Sequence, residues 1–176
     1  MDLRVKKTRK SIVDAFIELR QIKPLEKITV KELASKAMIN KATFYLHYQD
    51  IYDLEDSLES ELISSVLSSI SDKNLYVDNP FQFELELMNA IKKEGPTFEI
   101  LTSGNRSAHF VMQLEKELKN YISQNDPSFS SDVKRNIMVS FIVYGAYYTY
   151  TNNKYDKDIL AKTLSKLTQQ VIKTEL

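Results

Sequence analysis

From Ile12 to Ile172, apolar residues return every three or four positions, and only three glycines and four prolines break the chain. That spacing is the helical period. No run of alternating apolar and polar residues and no Asn-Gly turn argues for a sheet, so the reading is an all-α fold of about nine helices. At 176 residues the chain can bury one core, or a small head and a larger body with a core each.

Local signals place the helices. Ile12, Val13, Phe16, Ile17 and Leu19 form one stripe, and Lys23-Pro24 ends it because the residue before a proline is pushed out of the α region. Thr29 suits an N-cap, with Glu32 three residues on to complete a capping box, and Asn40 suits another. Asn40 opens a helix of just over two turns, ending near Tyr48, and Asp50 caps a long fourth helix that frays in the serine-rich stretch around Ser68. Asp78-Asn79-Pro80 starts a fifth helix and Gly95-Pro96 stops it; a short helix follows over 97–103 and a longer one over 105–124. Two helices close the chain, over about 131–151 and 156–174. The first is apolar nearly all round between Ile137 and Tyr148, which demands partners on several sides.

Charge is unevenly divided. The formal net charge is zero, yet residues 1–50 carry eleven Lys and Arg against six Asp and Glu, leaving the remainder acidic. A basic head is the footprint of a phosphate-binding surface, though a solvated helix with surplus lysine reads the same way on charge alone. With no cysteine, disulfides and thiolate sites are excluded. His47 and His109 fall in different predicted helices, and no P-loop, dinucleotide fingerprint or metal-ligand cluster is present, so neither an enzyme nor a cofactor is expected. The N-terminus lacks the apolar stretch of a signal peptide, and a cytoplasmic location is the expectation.

Residues 29–48, TVKELASKAMINKATFYLHY, have the layout of helix, tight turn and helix, with alanines where the two helices must approach. Through Ile28-Thr29-Val30-Lys31-Glu32-Leu33-Ala34, Ala37, Thr43-Phe44-Tyr45, His47-Tyr48 and Asp53-Leu54, the segment resembles the N-terminal domain of TetR-family transcriptional regulators. The resemblance covers about fifty residues. It implies a three-helix DNA-binding head over 1–50, followed over 51–176 by a helical effector-binding and dimerisation body. A dimeric, sequence-specific regulator of transcription is then expected, a repressor released by a small molecule. The alternative is an activator, or a regulator controlled by a protein partner.

In a helix-turn-helix the second helix enters the major groove with its N-terminal residues toward the base edges. Lys41 and Thr43 are then the candidates for base contact, with Asn40 at the same end. Tyr45 and His47 are placed for phosphates, and Thr29, Lys31 and Lys6 for clamping the backbone. Tyr48 is equally suited to DNA contact and to packing, and His47 to a plain surface position. Two departures stand out: the turn usually has glycine where this chain has Met38, and Ile51 replaces a lysine that often meets phosphate in the family.

For the body, Met88, Phe98, Phe110, Met112, Phe141 and Tyr144 are the candidate lining of an effector pocket, although such a stripe is more often plain core. Tyr144, Gly145, Tyr148, Leu160, Leu164 and Leu167 are the candidate homodimer face on the last two helices, where Gly145 and Ala146 would admit another helix closely.

Overall fold

A computed structural model describes residues 3–72 and 75–173, with no strand among them. The helices are α1 (Leu3–Ile22), α2 (Val30–Lys36), α3 (Lys41–Tyr45), α4 (Ile51–Ser68), α5 (Leu75–Asp78), α6 (Pro80–Leu101), α7 (Ser107–Asn125), α8 (Val133–Asn152) and α9 (Lys157–Lys173). Three short 3₁₀ turns lie at Leu25–Lys27, Gly104–Arg106 and Pro127–Ser131. The chain forms two compact units, 1–59 and 60–176, with the boundary inside α4 rather than ahead of it.

In the first unit, α1 packs on α2 and α2 on α3. Ile12, Phe16, Leu33, Phe44 and Leu54 are fully buried and form its core, with Ala34 and Ala37 keeping α2 slim where its neighbours approach. Arg20 on α1 reaches Glu55 on α4 through an Nε to Oε1 bond of 3.2 Å, both side chains buried. Removing either member would strand a charge in the core.

In the second unit, α6 packs on α9, α7 on α8, and α8 on α9. Asn79 caps α6 by accepting from the Gln82 amide, with Pro80 in the first turn. That helix is bent at Gly95, whose φ of 49° and ψ of −122° are non-helical, and Pro96 restarts the helix immediately. The dipeptide read as a stop therefore makes a hinge between two helical runs. A glycine tolerates this backbone because it has no Cβ. At the end of α4 the serines do what composition alone does not reveal: the Ser69 hydroxyl donates to the Val66 carbonyl, which the Ser69 amide also reaches at 3.2 Å.

One carboxylate sits against the pattern. Glu84, on the inner face of α6 beside Leu87 and Met88, is only 4% exposed. Burial pushes its carboxyl up from 4.5 to about 7. The unfolded chain ionises this group near its ordinary value while the folded chain keeps its proton, so stability falls as pH rises from about 5 and the loss is complete above about 7. At roughly 1.4 kcal/mol per pH unit, the full penalty is about 3 kcal/mol. Urea melts should therefore show Glu84→Gln gaining on the wild type by about that amount between pH 5 and pH 8. A constant difference between the two proteins across that range would show that the carboxylate is not held neutral.

Candidate nucleic-acid interface

The exposed edge of the first unit is built by two capped helices and the turn between them. Thr29 caps α2, its hydroxyl accepting from the Glu32 amide at 3.2 Å. The Glu32 carboxylate does not close the expected capping box and pairs with Lys23 instead. Asn40 caps α3, its Oδ1 accepting from the Thr43 amide at 2.7 Å and from the Thr43 hydroxyl at 2.9 Å. One side-chain oxygen thus starts the helix and fixes the rotamer of Thr43. With its proton directed to Asn40, the Thr43 hydroxyl offers lone pairs outward, as an acceptor for an amino group.

Around this pair stand the other candidates. Lys41, Thr29, Lys31 and Lys6 are exposed, Tyr45 is mostly exposed, and His47 is half-buried. Tyr45 meets Phe44 edge to face at 5.6 Å, which anchors its ring base to the core. Tyr48 is placed otherwise than the DNA-contact reading had it. It is 6% exposed with a buried hydroxyl, and its ring packs 5.9 Å from that of Phe44, so it belongs to the head's core. The reason is that α3 ends at Tyr45, three residues sooner than expected, and the chain turns Tyr48 inward. Ile51, where a phosphate-binding lysine was absent, is likewise buried.

The turn resolves the question posed by Met38. Its φ is 55°, the left-handed conformation, and it is the one described non-glycine residue with positive φ. The Ile39 amide bonds back to the Ala34 carbonyl and the Met38 amide to that of Ser35, closing α2 so that α3 can start at once. Met38 is 91% exposed, and Leu46, just past α3, is also bare. Neither is among the interface residues that the sequence predicts. Their signal was available: Leu33, Ala34, Ala37 and Phe44 already fill the core, which leaves two large apolar residues with no inward role.

Basic residues open α1, and one of them, Lys10, pairs with Asp14 one turn on at 2.7 Å. Arg4, Lys6, Lys7, Arg9 and Lys10 crowd the first turns with no acidic residue among the leading positions, at the end where the helix dipole is positive.

In the second unit the effector candidates part company. Met88 and Phe98 line a narrow cavity, and Phe110 packs edge to face on Phe98 at 5.8 Å. Met112 and Phe141 are 59% and 69% exposed, on the sides of α7 and α8 turned away from buried Val111, Leu114 and Val143. Tyr144 is half-buried and engages Glu115 on α7 rather than the cavity. The dimer candidates divide too. Leu160 and Leu164 are buried in the unit's own core and cannot form an outer face, whereas Gly145, Tyr148 and Leu167 are exposed. A Cβ placed at Gly145 would meet nothing within 4 Å.

No family model matches the chain, and no curated protein matches it in sequence. Solved structures do match in shape. The dihydroxyacetone kinase operon activator DhaS is 18% identical, with a TM-score of 0.55 over 94% of this chain and 92% of that one. A transcriptional regulator described as TerR/AcrR family from Aquifex aeolicus is 16% identical, with a TM-score of 0.59 over 93% and 99%. The TetR family transcriptional regulator PfmR from Thermus thermophilus is 13% identical, with a TM-score of 0.52 over 98% and 97%. The chain therefore has the all-α fold of TetR-like regulators along nearly its whole length. Among the described residues no helix is long and apolar enough to cross a membrane.

Met38→Gly follows as a test of the turn. A left-handed non-glycine residue costs about 1–2 kcal/mol, and the extra freedom of glycine when unfolded takes back part of the relief, so the variant should be stabilised by about 0.5–1 kcal/mol. Thermal melts should show a midpoint a few degrees higher; a lower one would mean that Met38 is held by something other than the turn.

Proposed function

We propose that this chain is a dimeric, sequence-specific DNA-binding regulator of transcription, and that it represses until a small molecule bound in the second unit releases it. The observation that carries the reading is the Asn40 to Thr43 bond at the exposed start of α3, which holds Thr43 in one rotamer beside Lys41. A side chain fixed on the solvent side of a filled core is pre-organised for a partner. Lys41 donates to guanine O6 and N7, while Thr43 accepts from the amino group of adenine or cytosine and lays its methyl against thymine. Tyr45 and Thr29, with Lys31, Lys6 and the other α1 cations, take phosphates and set the register. Exposed Lys6 and Lys7, at the positive end of α1 where the first turn has no acidic residue, find a countercharge in phosphate.

Dimerisation is supported by α8. Val133, Ile137, Phe141, Gly145 and Tyr148 succeed one another along its exposed side, while Val139, Val143, Ala146, Tyr147 and Tyr150 fill the core. With exposed Ile159 and Leu167 on α9 they make an apolar surface that a second copy, related by a two-fold axis, would cover. Two heads so joined read half-sites about one helical turn apart, roughly 34 Å. Since α4 is one helix shared between the two units, a ligand that favours one arrangement of the body also acts on the head that α4 enters. Activation is the second reading, favoured by the named role of one structural likeness as an operon activator.

Duplex binding, selected from random sequences, should weaken steeply with salt. Lys41→Ala and Thr43→Ala should each relax preference at one position by about 1–3 kcal/mol, whereas Lys6→Ala should lower affinity for all sequences and reduce the salt slope by about one. Binding indifferent to salt, or equal loss of affinity on every sequence for the Lys41 and Thr43 variants, would end the assignment. Separately, Ile137→Glu combined with Phe141→Glu should sediment as a monomer where the wild type is a dimer, with unchanged helical content; a variant that remains dimeric removes α8 from the interface.

A further inference from the structure

Glu84 is unusual in more than its burial. Its Oε1 is shut off from solvent and has no hydrogen-bond partner among the described residues. It borders two narrow cavities in the second unit, of about 30 Å³ and 20 Å³. The other ionisable groups lining them are the phenols of Tyr147 and Tyr150 in the first and Tyr76 in the second; no lysine, arginine or histidine faces the carboxylate in either. A carboxylate placed in an apolar wall with an open acceptor position needs a donor, preferably a charged one. Nothing on α6, α7, α8 or α9 supplies it there.

Size and surroundings narrow the donor. A cavity of about 30 Å³ has room for one or two water-sized groups, and so for a primary ammonium but not for a trimethylammonium or a phosphate. Apart from Glu84 and those phenols its lining is apolar, Leu87, Met88 and Leu114 among it. Ile91, Phe98, Tyr147 and Tyr150 are shared with a second, open cleft of about 440 Å³ on the same unit. That cleft, at the Gly95 hinge, has polar walls from Thr102, Ser103 and Asn152 and charged ones from Lys92, Glu99 and Lys157. A small acidic site thus lies one layer of side chains inside a large mixed one.

We propose that the second unit binds a primary amine carried on an apolar chain or ring, with its ammonium ion-paired to Glu84. The carbon skeleton passes between Phe98, Tyr147 and Tyr150, which turn to admit it, and emerges in the cleft. An ammonium beside the carboxylate favours its charged form, so below neutral pH binding displaces the proton that Glu84 carries and releases it to solvent. Anionic amphiphiles of the same length gain no ion pair from Glu84 and bind more weakly. The site rests on the cavity alone, while any effect of the amine on operator affinity rests on the regulatory reading above.

The experiment is titration calorimetry on the full chain without DNA, using n-hexylamine and 2-phenylethylamine as probes at pH 6 in two buffers of different ionisation enthalpy. Hexanoate and hexyltrimethylammonium are the controls. The expected result is saturable binding of at least one amine with proton release, at least tenfold weaker in Glu84→Gln and in Glu84→Leu, both checked for helical content. Each control should bind the wild type at least tenfold more weakly than the amine. The proposal is overturned if neither amine saturates, if both variants bind the amine as tightly as the wild type, or if either control matches it. Amine binding that leaves duplex affinity unchanged would keep the site and remove the release mechanism.

Discussion

A helix leaves four amides and four carbonyls without partners at its ends, and a chain with three glycines and four prolines must satisfy most of them with side chains. The fold depends on that constraint. Thr29, Asn40, Asp50, Asn79, Asp132 and Asp156 each accept from an amide at the start of the helix that follows. Asp50 and Asp53 make the arrangement reciprocal, Asp53 returning to the Gln49 amide at 2.7 Å. Where caps fall so closely, at residues 29, 40 and 50, the helices between them are short, seven residues in α2 and five in α3. The head is a consequence of cap spacing before it is a consequence of any recognition residue. At Asn40 the two roles meet, because the oxygen that begins α3 also orients Thr43.

Much of this was legible in the sequence because caps and helical period are local. The start at Asn79-Pro80, the break at Gly95-Pro96 and the fraying serines each follow from the residues themselves. The turn at Met38 was legible only as a conflict: glycine was expected, methionine was present, and the backbone took the left-handed conformation nonetheless. The early end of α3 was not legible, since Leu46, His47 and Tyr48 are as helix-compatible as the residues before them. Their conformation is decided by where Tyr48 finds buried space, which is tertiary information.

The body was harder for one reason. Periodicity says which residues share a stripe, but not what the stripe faces. On α9 the sequence offers Ile159, Leu160, Leu164 and Leu167 as one stripe; in the fold Leu160 and Leu164 turn to the core with Ser165 and Thr168, and Ile159 and Leu167 turn out. On α8 the stripe is so broad that it contains both an inner and an outer face, so Phe141 and Val143, two positions apart, have opposite fates. Met112 departs from the cavity for the same reason. Aromatic and methionine content marks a helix as apolar without marking its pocket side.

Three features then stand out as costs within a single chain: the left-handed Met38, the bare apolar side of α8, and the buried carboxyl of Glu84. Disagreements between local preference and fold are expected where structure has been given up to function. The three differ in what would repay them. A second copy would cover the α8 face, and a cation would pair with Glu84, so those two costs point outward to partners of definite chemistry. The strain at Met38 has no partner to relieve it; it is the cost of joining α2 to α3 in so few residues that Lys41 and Thr43 stand on the surface at a fixed distance from the head's core. A glycine there would make the same turn with less strain but would remove a large exposed side chain from beside the proposed DNA face.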